Sequence, residues 1–238
     1  MSFSVIDSLK KTMLVKPHPA GIPFIIGGAA ATVVLALIVK FLAVIALIFT
    51  VFCLYFFRDP ERVTPQKSSL IVAPGDGVVS AITGGVSLPA EVAGDGKEKY
   101  TRISIFLSVL DVHVNRIPVG GKVVRRQYKG GKFFNADLDK ASEENERSAA
   151  IIETAGGLRI CVVQIAGLIA RRIVNDMKKD QAVVTGARFG IIRFGSRVDV
   201  YMPENIAPLV CVGQRAVGGE TVLADIDGNE PARKGAIV

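Results

Sequence analysis

Only two histidines occur in the 238 residues of this chain, so few side chains can move protons near neutral pH. His18 lies between two prolines just before a long apolar run, a position that favours an interfacial residue over a catalyst. His113 lies in a strand-like stretch crowded with polar residues, LDVHVNRIP, and is the only imidazole of the globular part. His113 is therefore the candidate for acid–base chemistry, with a structural histidine as the alternative.

A Gly-Ser pair interrupts a strong strand pattern in the motif RFGSRVDVYMP. Gly195 can hold backbone conformations that other residues cannot, and a strained peptide bond beside the Ser196 hydroxyl is a set-up for attack on the chain itself. A β-bulge is the alternative for such a pair. Asp76, in the motif APGDGV, is a turn residue when it is taken alone. Each signal by itself is as compatible with structure as with chemistry.

The elements that must position these residues fall into two parts. Half of the residues are apolar and the mean hydropathy is +0.40, yet the 36 residues from Ile22 to Phe57 carry a single charge, Lys40, and account for the excess. The remainder has the charge content of an ordinary soluble domain. Composition thus excludes a disordered chain and indicates one membrane segment followed by one globular domain.

The apolar run is too long for a signal peptide or for one crossing, and just long enough for two short crossings. Basic residues flank both of its ends, which favours a helical hairpin with both ends in the cytoplasm and Lys40 near the far surface. A single crossing with a buried continuation is the alternative, since neither Pro nor Gly marks a turn at Lys40. We expect a basic flank at 1–21, the membrane segment at 22–57, a linker at 58–69 and a β-rich domain at 70–238.

From Leu70 onward the apolar residues recur with a period of two, in short β-branched runs broken by Gly and Pro. The pattern predicts a mainly β domain, one compact sandwich or barrel, with a hairpin at Val212–Ala224 and a charged loop or one short helix at Asp137–Arg147. Three cysteines without CxxC spacing predict buried thiols in a reducing compartment and no metal site. The clearest strands are predicted at Thr101–Leu107, Leu158–Ile165 and Arg197–Met202.

The chain is basic, with a net charge of +7, and Lys122–Lys132 contains five cations and no acid. Such a basic hairpin fits an anionic lipid surface or an ordinary solvated sheet face equally well. Nucleic-acid binding is disfavoured, because no aromatic-interleaved basic motif accompanies the cluster and the chain is tethered to a membrane.

In this order and spacing, the motifs resemble the phosphatidylserine decarboxylase family in its short, membrane-attached form. The fold that the resemblance implies is a β-rich domain related to the barrel-sandwich hybrid, which agrees with the strand pattern. The resemblance runs almost to the C-terminus and rests on FFRDP at Phe56–Pro60, APGDGV, LDVHVNRIP, NER at Asn145–Arg147, IAGLIARRIV at Ile165–Val174 and RFGSRVDVYMP at Arg193–Pro203.

The resemblance implies an enzyme that makes its own pyruvoyl cofactor, without a metal. By analogy, Ser196 Oγ attacks the Gly195 carbonyl, β-elimination cuts the resulting ester, and hydrolysis leaves a pyruvoyl group on a small chain, 196–238, which forms a heterodimer with the large chain, 1–195. The amine of phosphatidylserine would form a Schiff base with the ketone, lose CO2 and leave as phosphatidylethanolamine. His113 is expected as base and acid, with Asp76 as the third member of a triad-like set.

Two departures from the family pattern limit this transfer. Longer members have a second His three positions beyond the residue that matches His113, where this chain has Arg116. Their cleavage motif reads Leu-Gly-Ser-Thr, whereas Phe194 and Arg197 flank the pair here. Another group or His113 must do the work of the second His, and the way the oxyanion is held is open. Arg193 and Arg197 are candidates for the substrate carboxylate or phosphate, or ordinary strand arginines.

The alternative function is a membrane-anchored barrel-sandwich module that carries or transfers a group, which the glycine-rich motifs would suit. Such modules use a lysine at a hairpin tip or a pair of histidines, and the sequence has neither in place. A purely structural, tethered β domain is a third interpretation. From charge and resemblance together we expect the catalytic domain on the cytoplasmic face of the cell membrane. Phosphatidylserine and anionic lipid are the expected partners. The oligomeric state is left open, and a higher oligomer is possible.

Overall fold

The computed structural model describes residues 15–94, 98–133, 144–167, 172–193 and 195–235. Phe194, residues 168–171 of the IAGLIARRIV motif and most of the predicted loop or short helix at 137–147 lie outside the described residues. The chain divides into two compact units, and the division falls between Glu61 and Arg62. The first unit holds the apolar run, and the second holds the β-rich part of the sequence.

Two helices make up the described part of the first unit, α1 at Ile22–Ile38 and α2 at Lys40–Phe56, after a short 3-10 turn at Pro19–Gly21. Val39 separates the helices because its backbone is extended, with φ of −139° and ψ of 97°. The N–H of His18 donates to the carbonyl of Phe57 at 2.7 Å, so the start of α1 lies beside the end of α2. The two helices are therefore antiparallel neighbours.

One of these helices meets the requirements for a membrane span. The segment Pro19–Ile38 is long and apolar enough to cross a membrane, whereas α2 has 17 residues and falls short of that length. Large apolar side chains on both helices are exposed, for example Leu37 at 86% and Phe41 at 73%. The N-terminal unit is thus consistent with membrane association through its first helix.

The described part of the second unit contains thirteen strands, and every pairing between them is antiparallel. The prediction of a mainly β domain is confirmed. The strands are β1 Leu70–Val72, β2 Gly77–Val86, β3 Tyr100–Leu107, β4 Val114–Arg116, β5 Gly121–Lys129, β6 Arg147–Glu153, β7 Arg159–Ala166, β8 Ile173–Asn175, β9 Ala182–Val183, β10 Arg188–Ile192, β11 Ser196–Pro203, β12 Arg215–Ala216 and β13 Val222–Asp225.

An eight-stranded sheet with the order β12-β2-β3-β11-β7-β6-β5-β9 forms the body of this unit. A three-stranded sheet, β4-β10-β8, and a two-stranded sheet, β1-β13, accompany it. Strand β11 lies inside the large sheet, where Ser196 pairs with Leu107 of β3 on one side and with Ala166 of β7 on the other. The predicted Gly-Ser pair therefore stands at the entry to a central strand.

Both faces of β11 are buried, because its side chains alternate between two apolar clusters. Val198 and Val200 belong to the larger cluster, while Tyr201 packs in a second cluster with residues such as Cys161 and Val163. All seven residues of 196–202 are buried. The strand that carries Ser196 is consequently held on both edges and on both faces.

The three strands predicted most clearly are confirmed as β3, β7 and β11, with ends shifted by one residue. The predicted hairpin at Val212–Ala224 is wrong. Strand β12 pairs with β2 whereas β13 pairs with β1, because the turn through Gly218 and Gly219 carries the chain from one sheet to another. The expectation of three buried thiols holds for Cys53 and Cys161, but Cys211 is partly exposed.

The Gly77 position generates a prediction about stability, since a Cβ there would overlap the carbonyl oxygen of Phe106 on the neighbouring strand. We expect Gly77→Ala to destabilise the folded protein by about 1–3 kcal/mol, because the backbone of β3 must move to make room. The measurement is thermal unfolding of the full chain in detergent micelles. Gly130→Ala is the control, because a Cβ on Gly130 would meet no atom within 4 Å, and equal unfolding temperatures for the two variants would contradict the prediction.

Candidate active site at Gly195 and Ser196

The peptide between Gly195 and Ser196 has an unusual backbone and a buried hydroxyl beside it. Gly195 has φ of +71°, in the left-handed region that favours glycine. Ser196 is fully buried, and within the described part of the chain its Oγ has no hydrogen-bond partner. Buried hydroxyls are normally satisfied, so an unsatisfied one calls for an explanation, and a catalytic role is one of the few available.

His113 contacts Gly195 through the peptide group that precedes this residue. The backbone N–H of Gly195 donates to His113 Nε2 at 3.2 Å, although the two residues are 82 positions apart. An N–H can only donate, so Nε2 carries the lone pair and the ring proton is on Nδ1, which lies 3.0 Å from the carbonyl oxygen of Asp111. The fully buried imidazole is therefore fixed in the tautomer that can accept a proton beside Gly195.

Asp111 holds the turn that orients His113. Its Oδ2 accepts the backbone N–H of Ser108 at 2.9 Å, and its Oδ1 accepts a hydrogen bond from the guanidinium of Arg215 at 2.5 Å. Burial by itself would raise the pKa of the Asp111 carboxyl, but the hydrogen bonds from Ser108 and Arg215 outweigh burial and lower it below its ordinary value. The carboxylate is thus ionised while it supports the carbonyl that receives the Nδ1 proton of His113.

Asp76 is fixed by two contacts in the place where the glycine-rich motifs meet. Its Oδ2 accepts from the Arg62 guanidinium at 2.6 Å, and its Oδ1 accepts the N–H of Gly218 at 2.8 Å. The N–H of Arg116 donates to the carbonyl of Pro74 at 2.8 Å, which lays the Asp76 turn against the segment that carries His113. The motifs APGDGV, LDVHVNRIP and AVGGET are therefore assembled in space.

The two arginines considered for substrate binding have different surroundings. Arg197 is 1% exposed and makes a bidentate ion pair with buried Asp199, with N–O distances of 2.6 and 2.9 Å. Arg193 is partly exposed, and its backbone N–H donates to the backbone carbonyl of Arg172 at 3.2 Å. Burial and the neighbouring Arg172 charge both lower the pKa of Arg193. Arg193 and Arg172 are thus neighbours, and Arg193 lies two residues before Gly195.

Arg116, which stands where longer relatives have a second His, is a buried structural residue. The residue is only 6% exposed, and its Nη1 donates to the carbonyl oxygen of Gly186 at 2.9 Å. A Cβ on Gly219 would lie 2.8 Å from Arg116 Cδ, so the turn packs against the arginine side chain too closely for a larger residue at position 219. Arginine keeps its proton at any physiological pH, so Arg116 does not replace a base.

Sequence reasoning missed a set of buried amides behind the site. Gln164 on β7 donates to Asn115 Oδ1 at 2.8 Å and accepts from Asn175 Nδ2 at 2.9 Å. Asn145 Nδ2 donates at 2.8 Å to the carbonyl of Ala166, the residue that pairs with Ser196. The amide of Gln164, next to last in the otherwise largely apolar run LRICVVQI, was the available signal, because a buried amide requires partners.

Taken together, the contacts place the imidazole of His113 and the hydroxyl of Ser196 on opposite sides of Gly195. Internal acyl transfer requires a hydroxyl nucleophile, a base for its proton and a carbonyl next to the nucleophile, and these groups occur here within a few residues of Gly195 in space. A serine that begins a new chain after such a reaction can be converted to a covalent carbonyl cofactor. The arrangement defines the class of self-processing, cofactor-generating proenzymes.

Comparison with known proteins agrees with this class. The family profile described as phosphatidylserine decarboxylase matches residues 49–224. A phosphatidylserine decarboxylase proenzyme of Cereibacter sphaeroides is 54% identical over 93% of this chain and 95% of its own length. Proenzymes of the same name from Granulibacter bethesdensis and Beijerinckia indica are 52% and 53% identical, over 94% and 90% of this chain and 90% and 91% of their own lengths.

The chain belongs to the phosphatidylserine decarboxylase family. The resemblance inferred from the motifs is confirmed, and membership sets aside the group-carrier and purely structural alternatives.

The contacts of Asp111 predict how acid affects the folded protein. A carboxyl whose pKa is lowered in the folded state contributes stability at pH values above its unfolded pKa, about 4, and loses that contribution as the pH falls through the folded pKa. We therefore expect Asp111→Asn to be less stable than the wild type at pH 7 and to lose less stability on acidification to about pH 3. Unfolding temperatures at both pH values test this. The exposed Asp227→Asn is the control, and an acid response of Asp111→Asn equal to that of the wild type would refute the assignment.

Proposed function

We propose that Ser196 becomes the pyruvoyl group of this decarboxylase after the chain cuts itself between Gly195 and Ser196. As a family member, the chain is a carboxy-lyase made as a zymogen, and it converts phosphatidylserine to phosphatidylethanolamine and CO2 in phospholipid biosynthesis. The observation that carries the assignment to Ser196 is its buried hydroxyl, which lacks a partner among the described residues and directly follows a left-handed glycine.

In the proposed self-cleavage, His113 Nε2 gives up the hydrogen bond from the Gly195 N–H and takes the proton of Ser196 Oγ as the oxygen attacks the carbonyl carbon of Gly195. The C–N bond breaks, the Ser196 nitrogen becomes an amine, and an ester joins the two residues. Loss of the Ser196 α-proton then breaks its Cβ–Oγ bond, which frees Gly195 as a carboxylate and leaves a dehydroalanine. Its imine tautomer adds water and releases ammonia, and the pyruvoyl group remains at position 196.

The pyruvoyl ketone supplies the electron sink that decarboxylation requires. His113 lies against Gly195, so its Nε2 is placed to hold a proton near residue 196 and to return it to the substrate carbon after CO2 has left. Asp76 is the proposed third member of this set, with its carboxylate held by Arg62 and Gly218. That role is supported by the packing of the Asp76 turn against the Arg116 backbone.

Of the two candidate arginines, we propose Arg193 for the anionic groups of the substrate. Two guanidinium groups near each other repel, and an anion between them would relieve the repulsion, so the neighbouring Arg172 supports this role. Arg197 already has a buried carboxylate partner in Asp199, which favours a positioning role for it.

The finer features of fold and location are part of the proposal. The antiparallel helices support a membrane hairpin that keeps both ends on the cytoplasmic face of the cell membrane, with Lys40 at the tip between α1 and α2. The sheets support a relation to barrel-sandwich hybrids. Strand β5 supports contact with anionic lipid through Arg125, Arg126 and Lys129, although two cations of the basic cluster form ion pairs, Lys122 with Asp180 and Lys132 with Glu144.

We also propose that the two chains stay together as a heterodimer after cleavage. The small chain, 196–238, supplies β11, β12 and β13, which pair with β3, β7, β2 and β1 of the large chain. Because β11 is inside the large sheet and buried on both faces, its separation would open the core of the unit. Cutting at its first residue leaves every one of these ladders in place.

Replacement of Ser196 tests the proposed cofactor. We expect Ser196→Ala to remain one intact chain without decarboxylase activity, because alanine has neither the nucleophile nor the leaving oxygen. The wild type should give two chains, the smaller starting at residue 196 and reactive toward carbonyl reagents. Intact-mass analysis and release of CO2 from phosphatidylserine in mixed micelles measure both properties.

Ser104→Ala is the matched control, because Ser104 is another buried serine, lies on the neighbouring strand β3, and also has an Oγ without a partner among the described residues. This variant should be processed and active. A cut Ser196→Ala chain, or a wild-type chain that is whole and inert to the lipid, would sink the proposal.

Replacement of His113 tests the proposed base. We expect His113→Ala to process about 10²–10⁴-fold more slowly, since the proton acceptor beside the scissile peptide is gone, and added imidazole should restore part of the rate. Gel analysis of the two chains over time measures it. His18→Ala is the control, because the other histidine accepts the N–H of Ala20 in the first unit. Normal processing of His113→Ala would refute the assignment.

A further inference from the structure

We propose that the backbone N–H of Gly167 is the oxyanion donor of the self-cleavage reaction. It donates to the carbonyl oxygen of Gly195 at an N–O distance of 3.2 Å. That oxygen becomes negatively charged when Ser196 Oγ adds to the carbonyl carbon, so the inference rests on the proposed function. A donor already aimed at the oxygen needs no reorganisation at the moment of reaction.

The hydrogen bond continues the ladder between β7 and β11. Ser196 pairs with Ala166, so Gly195 and Gly167 form the next antiparallel pair beyond the ends of the two strands. The residue before Gly167 is held tightly, since the carbonyl of Ala166 accepts from Asn145 Nδ2 at 2.8 Å and its N–H donates to the carbonyl of Glu146 at 2.9 Å. The motif that contains Asn145 thereby positions the Gly167 N–H.

Both polar groups of Gly195 are thus occupied by groups with different tasks. Its N–H, which belongs to the preceding peptide group, donates to His113 Nε2, and its carbonyl accepts from Gly167, so Gly195 is held on both sides of its Cα. The surrounding residues at the start of β11 are buried, and hydrogen bonds to a developing charge are stronger where water is excluded.

This assignment explains how the chain tolerates its departure from the Leu-Gly-Ser-Thr pattern. A main-chain donor does not depend on which side chains flank the Gly-Ser pair. The side chain of Arg197, the residue after Ser196, is engaged with Asp199 and is not needed at the carbonyl. The donor requires only the register in which Ser196 faces Ala166.

The test removes the N–H donor of residue 167 and leaves every side chain unchanged. Cell-free translation of the full chain into nanodiscs, with glycolic acid in place of Gly167, changes its N–H into an ester oxygen. We expect cleavage between Gly195 and Ser196 to slow by about 10²–10³-fold, as for loss of one oxyanion donor in other acyl-transfer sites. The time course of release of the chain 196–238, followed by mass analysis, gives the rate.

The control is the equivalent ester at Val163. Val163 pairs with Asp199 in the same ladder, and since hydrogen-bonded pairs alternate along an antiparallel ladder, it loses a bond of the same kind away from the scissile peptide. This control should process within about threefold of the unmodified chain. A Gly167 ester that processes at the unmodified rate, or a Val163 ester that is slowed as much, would overturn the proposal. The unmodified chain reports separately on the proposed function, through its cleavage and its ketone.

Discussion

The hydrogen bond between the N–H of Gly195 and Nε2 of His113 is the contact on which the proposed chemistry depends. It places the imidazole of the β unit beside the residue whose carbonyl would be attacked, and it selects the ring tautomer with the lone pair of Nε2 on that side. Three constraints maintain it: the left-handed backbone of Gly195, the entry of β11 between β3 and β7, and the turn that Asp111 holds through Ser108 and Arg215. Loss of any of them would separate the base from its target.

The proposed position of the cut within the fold is compatible with a stable product. A break in the middle of β11 would end ladders on both of its sides, whereas the Gly195–Ser196 bond lies at the first residue of the strand. The strands of the segment 196–238 enter two sheets, each paired with strands that come from residues before 196. The fold thus allows a reactive chain end to form inside a core that stays closed.

Buried polar groups, rather than apolar packing, set the geometry around this core. The ion pair of Arg197 with Asp199, the amides of Gln164 and Asn175, and the contact of Asn145 with Ala166 each satisfy groups that would be costly to leave unpaired. Because these bonds are directional, they define the register at the end of β7 and β11 more sharply than hydrophobic contacts would.

The sequence by itself determined the apolar helices, the period-two strands β3, β7 and β11, and the family, because periodicity and short motifs are properties of neighbouring residues. The tertiary structure alone decided which sheets β12 and β13 join, that Arg197 is buried on Asp199, that Asp111 supports His113, and that Gly167 faces Gly195. These contacts join residues far apart in the chain. The pattern of one strand specifies which face it buries, but not which strand it pairs with, so only the assembled sheets bring His113, Gly167 and the Gly195–Ser196 bond to one place.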